Sequence, residues 1–405
     1  MKIEIDTVKG FQDYLPPLSI KRDAVREIIR KNFELHGFLP VETPIVEFDE
    51  LMRSDNIGEE DEAVSDRFRL KDRAGRNLGL RYEFTFQLAR IFKQNPNIKL
   101  PFRRYQIGEV FRDEPTGTGR FRQFVQCDAD IIGDSSVNGD AECLALISDV
   151  LKELGIRAEI KVNSRKLMNS LIESVEISDR KSVMRELDKI DKIGEDMVKL
   201  NLKKYADVNQ ILTLFKLLEK DIDFFKENAF DGAEDISLLI EQCKKYGISA
   251  SFTPYMVRGF GYYTGNIFEV KVEGRTIAAG GRYDKSAGKF VGKEIPAVGI
   301  SFGLERVTEE ARIKVGQIPK LIIISLNKDK ESISLAKKLR KEGASCQIFF
   351  ERAGKALEYA NALLISHAIF IGKEEVEKKK FKLKDMKSGD EKYLTEKQLL
   401  KMFGK

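Results

Sequence analysis

Proline placement constrains this chain more than any other feature. The ten prolines fall at Pro16, Pro17, Pro40, Pro44, Pro96, Pro101, Pro115, Pro254, Pro296 and Pro319, so none lies between 115 and 254. An internal proline removes a backbone donor and clashes with the preceding turn, so its absence leaves room for uninterrupted helix. The residues agree: Ala141 to Leu154 carries Leu144, Ile147, Val150 and Leu151 on one helical face, and Arg165 to Tyr246 is Leu/Ile/Lys/Glu-rich with little alternation. A helical insertion is expected there, over 165–250.

Strand material flanks it. Tyr105 to Arg112 and Arg120 to Ile132 are β-like runs joined by a Gly- and Pro-rich loop, a long hairpin signal. Ile267 to Val272 and Arg275 to Ala279 form a second hairpin across Glu273-Gly274, and Ala297 to Phe302 reads as a strand leading into a helix at Gly303-Leu-Glu-Arg306. After Pro319 the pattern becomes βαβαβ: strands at Leu321 to Ser325, Ser345 to Phe350 and Ala368 to Ile371, helices at Lys330 to Glu342 and Lys355 to Leu364. The expected class is α+β, an antiparallel sheet flanked by helices, with a helical insertion and a C-terminal α/β domain. The expected segments are 1–164, 165–250, 251–318 and 319–405, within the two to three domains that 405 residues suggest at about 150 each.

Several function classes drop out. No run approaches the ~18 apolar residues of a membrane helix, so no membrane partner is expected. The N-terminus lacks a secretory signal, so the mature chain is expected to start here. Cys127, Cys143, Cys243 and Cys346 are far apart, with no CxxC and no zinc spacing; they read as free thiols in a reducing cytoplasm, with no metal site and no zinc. Two histidines, His36 and His367, exclude HExxH and argue against a His-based triad. Neither a P-loop nor a GxGxxG between strand and helix occurs, so any nucleotide must be held by arginines. Residues 320–405 hold 20 basic and 12 acidic side chains, net +8 in a chain of net +5. That suits an acidic partner such as nucleic acid, or simply a lysine-rich solvated surface.

On a strand, Arg122, Phe124, Gln126, Asp128 and Asp130 share a face. Such a polar row is a poor core but a good site floor, or else an exposed face of ion pairs. An arginine beside an aromatic suits a phosphate and an adenine ring. VRGFGYYTG sets glycines around Arg258 and paired tyrosines, allowing close approach of backbone and ligand, or an ordinary tight turn. Arg306 sits where a helix begins just past a buried strand, a natural phosphate-binding position.

Taken together, FRDE with GRFRQF resembles motif 2 of class II aminoacyl-tRNA synthetases, GISFGLERV resembles motif 3, and His36-Gly-Phe-Leu-Pro-Val-Glu-Thr-Pro44 resembles motif 1. VRGFGYYTG and AAGGRYD are similar to peptides specific to histidyl-tRNA synthetases, and VKGFQDYLP and the helical insertion fit that family. The resemblance covers essentially the whole chain, including a C-terminal anticodon-binding domain. It implies activation of L-histidine with ATP and Mg²⁺, transfer to tRNA(His), and a homodimer built through motif 1. It further implies that Arg112 holds the α-phosphate, Glu114 and Phe124 the adenine, and Arg306 the γ-phosphate. Glu83 would bind the histidine amino group with Thr85 beside it; Gln126, Asp130 and Tyr263, with Tyr262 close by, would complete the pocket. Arg258 matches a second catalytic arginine opposite Arg112. Two departures stand out: Gly261 replaces an acidic residue of the usual peptide, and Asp130 within Gln-Cys-Asp-Ala-Asp resembles the archaeal and eukaryotic form. The alternative is a non-catalytic synthetase-like protein, a regulatory subunit or RNA sensor; retention of Arg112, Arg258, Arg306 and the basic C-terminal domain argues against it.

Overall fold

A computed structural model describes residues 5–52, 66–117, 119–257, 261–316 and 319–404. The chain divides into two units, Met1–Tyr14 with Arg22–Ile313, and Leu15–Lys21 with Lys314–Lys405. Its strands are β1 (Leu39–Pro40), β2 (Val46–Phe48), β3 (Arg69–Lys71), β4 (Asn77–Leu80), β5 (Phe102–Phe111), β6 (Gln123–Ile132), β7 (Glu159–Ser164), β8 (Ala250–Phe252), β9 (Asn266–Val272), β10 (Arg275–Arg282), β11 (Ala297–Gly303), β12 (Leu321–Ser325), β13 (Cys346–Phe349), β14 (His367–Ile371), β15 (Phe381–Asp385) and β16 (Glu391–Leu394).

The first unit is built on an eight-stranded sheet of order β1-β5-β6-β11-β10-β9-β7-β8. Its interior is antiparallel, as expected, but both edges are parallel, β1 against β5 and β7 against β8. Parallel neighbours need a crossover connection. For β7 and β8 that crossover is the run of helices from Arg165 to Lys245. Several of these short helices start at an aspartate that accepts from the first turn: Asp179 from Ser182, Asp207 in a capping box with Gln210, and Asp221 from Phe224.

One sheet face carries the core. Val125, Cys127, Ala129 and Ile131 of β6 pack with Val298, Ile300 and Phe302 of β11 beneath the helices Leu18–Leu35 and Val137–Glu153. Helix Leu18–Leu35 offers Val25, Ile29 and Phe33 at four-residue spacing, the stripe that faces a core. The other face is the polar one. A small antiparallel sheet, β2-β4-β3, adds to the same unit and was not foreseen from the sequence.

The second unit has a five-stranded sheet, order β13-β12-β14-β15-β16, parallel through β13, β12 and β14 and antiparallel beyond. β12 is buried on both faces. Leu321 and Ile323 join the cluster with Leu335, Leu339 and Leu399, while Ile322 and Ile324 join Ala356, Ala360 and Phe370. A continuous apolar run is what a doubly covered parallel strand requires.

Candidate active site

The polar face of the large sheet becomes a cleft because of what stands side by side across its strands. Register puts Arg104 of β5, Asp130 of β6, Gly299 of β11 and Gly281 of β10 in one row. The next row holds Gln106, Asp128, Ser301, Ala279 and Glu269. Large polar groups rise from β6, while β11 and β10 contribute almost no side chain. Gly299 allows no more: a Cβ there would lie 2.0 Å from Asp130 Oδ1. A Cβ on Gly280 would lie 2.2 Å from the Gly299 carbonyl oxygen. The resulting cleft holds about 910 Å³ and is lined by Glu83, Thr85, Arg112, Glu114, Phe124, Gln126, Asp130, Tyr262, Tyr263 and Arg306 together. Arg258 lies outside the described residues.

One end of the cleft gathers carboxylates and tyrosines. Glu83 is buried and accepts from the backbone N–H groups of Thr85 at 2.9 Å and Phe86 at 2.8 Å, and from Tyr262 Oη at 3.2 Å. Burial pushes its pKa up, and these hydrogen bonds oppose the shift. Asp130 faces Arg104, with Nη2 2.7 Å from Oδ2, while the Tyr283 hydroxyl donates to Oδ1. Burial works against the charge on Arg104, yet the Coulombic pull of Asp130, Tyr283 and Asp128 keeps its pKa above the usual value. Gln126 donates to Ser301 Oγ at 2.7 Å. Asp128 has its pKa pushed up to about 8, by burial first and then by the charge of Asp130.

Arginine and aromatic rings occupy the other end. The Arg112 guanidinium lies 4.3 Å from the Tyr82 ring centroid and 5.0 Å from that of Phe124, within cation–π range of both. Glu114 accepts from Tyr82 Oη at 3.1 Å and from Arg120 Nε at 2.7 Å. Arg306 donates to the carbonyl oxygens of Thr276 at 2.9 Å and Gly119 at 3.4 Å, linking the first helical turn, β10 and the hairpin tip. Its neighbour Glu305 is buried, accepting from the Val125 N–H at 3.1 Å and pairing with Arg22. The helical segment also reaches the cleft through Lys181, Arg185, Lys189 and Lys192, and Asp191 pairs with Lys271 of β9.

Tyr82, Arg104, Arg120 and Tyr283 escaped the sequence reading. Arg104 follows Arg103 on a strand, so the two must point to opposite faces. Arg103 takes Glu142 on the helix side and Arg104 takes Asp130 on the cleft side. That alternation was the available signal, and only the pairing of β5 with β6 gives it meaning.

The family model described as histidyl-tRNA synthetase matches residues 10–307, and that of the anticodon binding domain matches residues 320–405. Histidine–tRNA ligase 1 of Bacillus cereus is 36% identical, over 96% of this chain and 95% of that protein. Histidine–tRNA ligase of Clostridium tetani is 32% identical, over 97% of this chain and 96% of that protein. The crystal structure of histidyl-tRNA synthetase from Nostoc sp. PCC 7120 superposes with a TM-score of 0.86 at 27% identity, covering 99% of this chain and all of that one. A Bacillus halodurans structure described as an ATP phosphoribosyltransferase regulatory subunit/histidyl-tRNA synthetase shares the fold, with a TM-score of 0.76 at 22% identity over 89% of this chain and 97% of that one.

Proposed function

The chain belongs to the histidyl-tRNA synthetase family, and from that premise we propose how its cleft carries out the reaction. It is an aminoacyl-tRNA ligase: it activates L-histidine with ATP and transfers it to the 3′ end of tRNA(His), releasing AMP and pyrophosphate. In the first step a histidine carboxylate oxygen bonds to the α-phosphorus and the bond to the pyrophosphate oxygen breaks. In the second, a terminal tRNA hydroxyl attacks the acyl carbon and AMP leaves.

Glu83 takes the substrate ammonium, with Thr85 and Tyr262 beside it; Gln126, Asp130 and Tyr263 enclose the imidazole end. Arg112 holds the α-phosphate, and the family resemblance assigns Arg258 the role of a second cation for that group. Fixed cations on both sides of a phosphoryl centre stabilise the charge that develops there, so no protein nucleophile is needed. Phe124 stacks on adenine, Glu114 contacts its edge, and Arg306 meets the γ-phosphate. Mg²⁺ suits a site of this kind. Among the described residues no group of three or more His, Cys, Asp or Glu is placed to cage a metal. Mg²⁺ keeps several waters and would ride mainly on the substrate phosphates, since Glu114 is already engaged by Tyr82 and Arg120. Carried on ATP, it would supply positive charge against the departing pyrophosphate.

The catalytic core comprises 1–164 and 251–318, the insertion 165–250 and the anticodon-binding domain 319–405. The protein acts as a homodimer: Leu35, Leu39, Ile45, Val46 and Phe48, in and beside the motif 1 segment, are exposed apolar residues that a second copy would cover. It works in the cytoplasm, where ATP, tRNA and reduced thiols coexist; among the described residues no helix is long and apolar enough to cross a membrane.

The observation that carries this reading is the single cleft in which Glu83 and the β6 polar row face Arg112, Phe124 and Arg306. ATP–pyrophosphate exchange with each of the twenty amino acids tests it. Exchange with histidine alone is expected. Folded protein that exchanges with none would overturn the catalytic reading, make Gly261 the first suspect and leave a silent, synthetase-like regulator.

A further inference from the structure

The peptide VRGFGYYTG, residues 257–265, is reached from β8 through an irregular stretch, Thr253 to Val257, that is neither helix nor strand. Thr253, Tyr255, Met256 and Val257 line the cleft on this side, and Tyr262 and Tyr263 line it further along. A stretch outside helix and sheet has no ladder to take its carbonyl oxygens, so other groups must satisfy and shape it. Asn163 of β7 does so here. It is fully buried, and its Nδ2 donates to the Pro254 carbonyl at 2.8 Å and to the Met256 carbonyl at 2.9 Å. Its Oδ1 accepts from the Ser164 N–H at 2.8 Å. Two carbonyls demand a donor and one N–H demands an acceptor, so the partners fix which way the amide faces.

The same junction holds the far flank of the peptide. Arg165, which opens the helix Arg165–Ser174, donates its backbone N–H to the Gly265 carbonyl at 2.8 Å. Ser164, between the two, pairs with Asn266 at the start of β9. Three consecutive residues at the end of β7 therefore grip the chain on both sides of the segment that carries Arg258. The side chain of Met256 is held separately, in the buried cluster with Leu88, Tyr262 and Tyr263. What Asn163 adds is the orientation of the backbone: it ties down the Pro254 and Met256 carbonyls and with them two peptide planes.

We propose that Asn163 is a positioning residue for the activation step, setting the direction from which the chain delivers Arg258. This rests on the role that the family resemblance assigns to Arg258, and deepens it. Met256 and Arg258 are two residues apart in sequence, so a turned Met256 peptide plane displaces a guanidinium many bonds further out. A misplacement of about 1 Å at the reacting centre can cost about 100-fold in rate. The loss falls on the transition state, because a preorganised cation matters most where charge develops. Substrate binding depends on other groups. Those proposed for adenine, the γ-phosphate and the histidine ammonium are Phe124, Glu114, Arg306 and Glu83, and Asn163 hydrogen-bonds to none of them.

The test is histidine-dependent pyrophosphate exchange by the full-length protein, with kcat and both KM values measured. The proteins are the wild type, Asn163→Ala, Arg258→Ala and the double variant, with circular dichroism as the check on folding. Asn163→Ala should lower kcat about 10- to 100-fold while each KM stays within about threefold of wild type. The double variant should be about as slow as Arg258→Ala alone, since a cation already removed cannot also be misdirected. Asn163→Asp fills the same space and keeps the acceptor for Ser164 but loses both donors. It should share the kcat loss, and it replaces Asn163→Ala if that protein does not fold. Wild-type kcat in either folded variant overturns the inference. So do losses that multiply in the double variant, the mark of a side chain that merely supports the sheet. Near-wild-type turnover in Arg258→Ala overturns the role of Arg258 and the inference with it, and is read from a protein in which Asn163 is intact.

Discussion

Gly299 shows how narrowly the site is drawn at the scale of a residue. A methyl group there would overlap the Asp130 carboxylate, displacing the acid from Arg104 and Tyr283. Gly299→Ala should therefore raise the histidine KM at least ~10-fold while leaving that for ATP nearly unchanged, because the disruption stays at the carboxylate end; equal effects on both substrates would place the damage in the sheet. Asp128 makes a prediction of stability rather than activity. Its folded pKa, about 8, lies above the ordinary carboxylate value. A raised folded pKa means stability that is fully present below the unfolded pKa and lost as pH rises through the folded one. Asp128→Asn cannot ionise, so its melting temperature relative to wild type should be higher at pH 8.5 than at pH 5. A constant offset between the two would mean that Asp128 does not titrate in that range. Arg258 carries a prediction from sequence alone: Arg258→Ala should cut adenylate formation by at least ~100-fold with a smaller change in histidine binding. Near-wild-type turnover would remove it from the chemistry. The residues named by motif were legible because their spacing is local. Their partners were not: Arg104 reaches Asp130, and Tyr283 reaches the same carboxylate, only through strand register.

At the scale of elements, the junction of β10 with the helix Val137–Glu153 is the point most exposed to a single change. Arg282 ends β10 and pairs with Asp140, which is fully buried, while donating to the carbonyl oxygens of Asp134 and Ser136 at 2.8 Å each. Arg282→Ala would strand a buried acid, and a loss of about 3–5 kcal/mol is expected in urea unfolding. A loss below ~1 kcal/mol would mean that solvent reaches Asp140 easily. The long hairpins, the β11-to-helix transition and the βαβαβ run were legible because length, alternation and glycine signals agreed in them. Other strands were hidden for physical reasons. β8 is only three residues long and pairs in parallel at an edge. β15 does alternate, with Phe381 and Leu383 inward, but Lys382 and Lys384 between them make it read as a charged surface. β1 is two residues long and ends on a proline, which an edge position tolerates.

Across the whole molecule, charge and chemistry are divided unequally between segments. The last 86 residues carry the net +8, so removing the chain from Pro319 onward should weaken tRNA charging far more than amino-acid activation. Equal losses would assign the segment to folding instead. For the intact protein, the KM for tRNA should climb with salt while pyrophosphate exchange hardly responds, since only the former releases counterions from a nucleic acid. The four cysteines give the molecule a built-in record of its own opening. All are buried and unpaired; Cys127, Cys143 and Cys243 belong to the first unit and Cys346 to the second. Burial raises the pKa of each thiol, so the reactive thiolate is scarce until the surrounding structure loosens. Timed alkylation followed by intact-mass spectrometry would then separate two kinds of event without any introduced label: a one-adduct species when the second unit opens, and a three-adduct species when the first does.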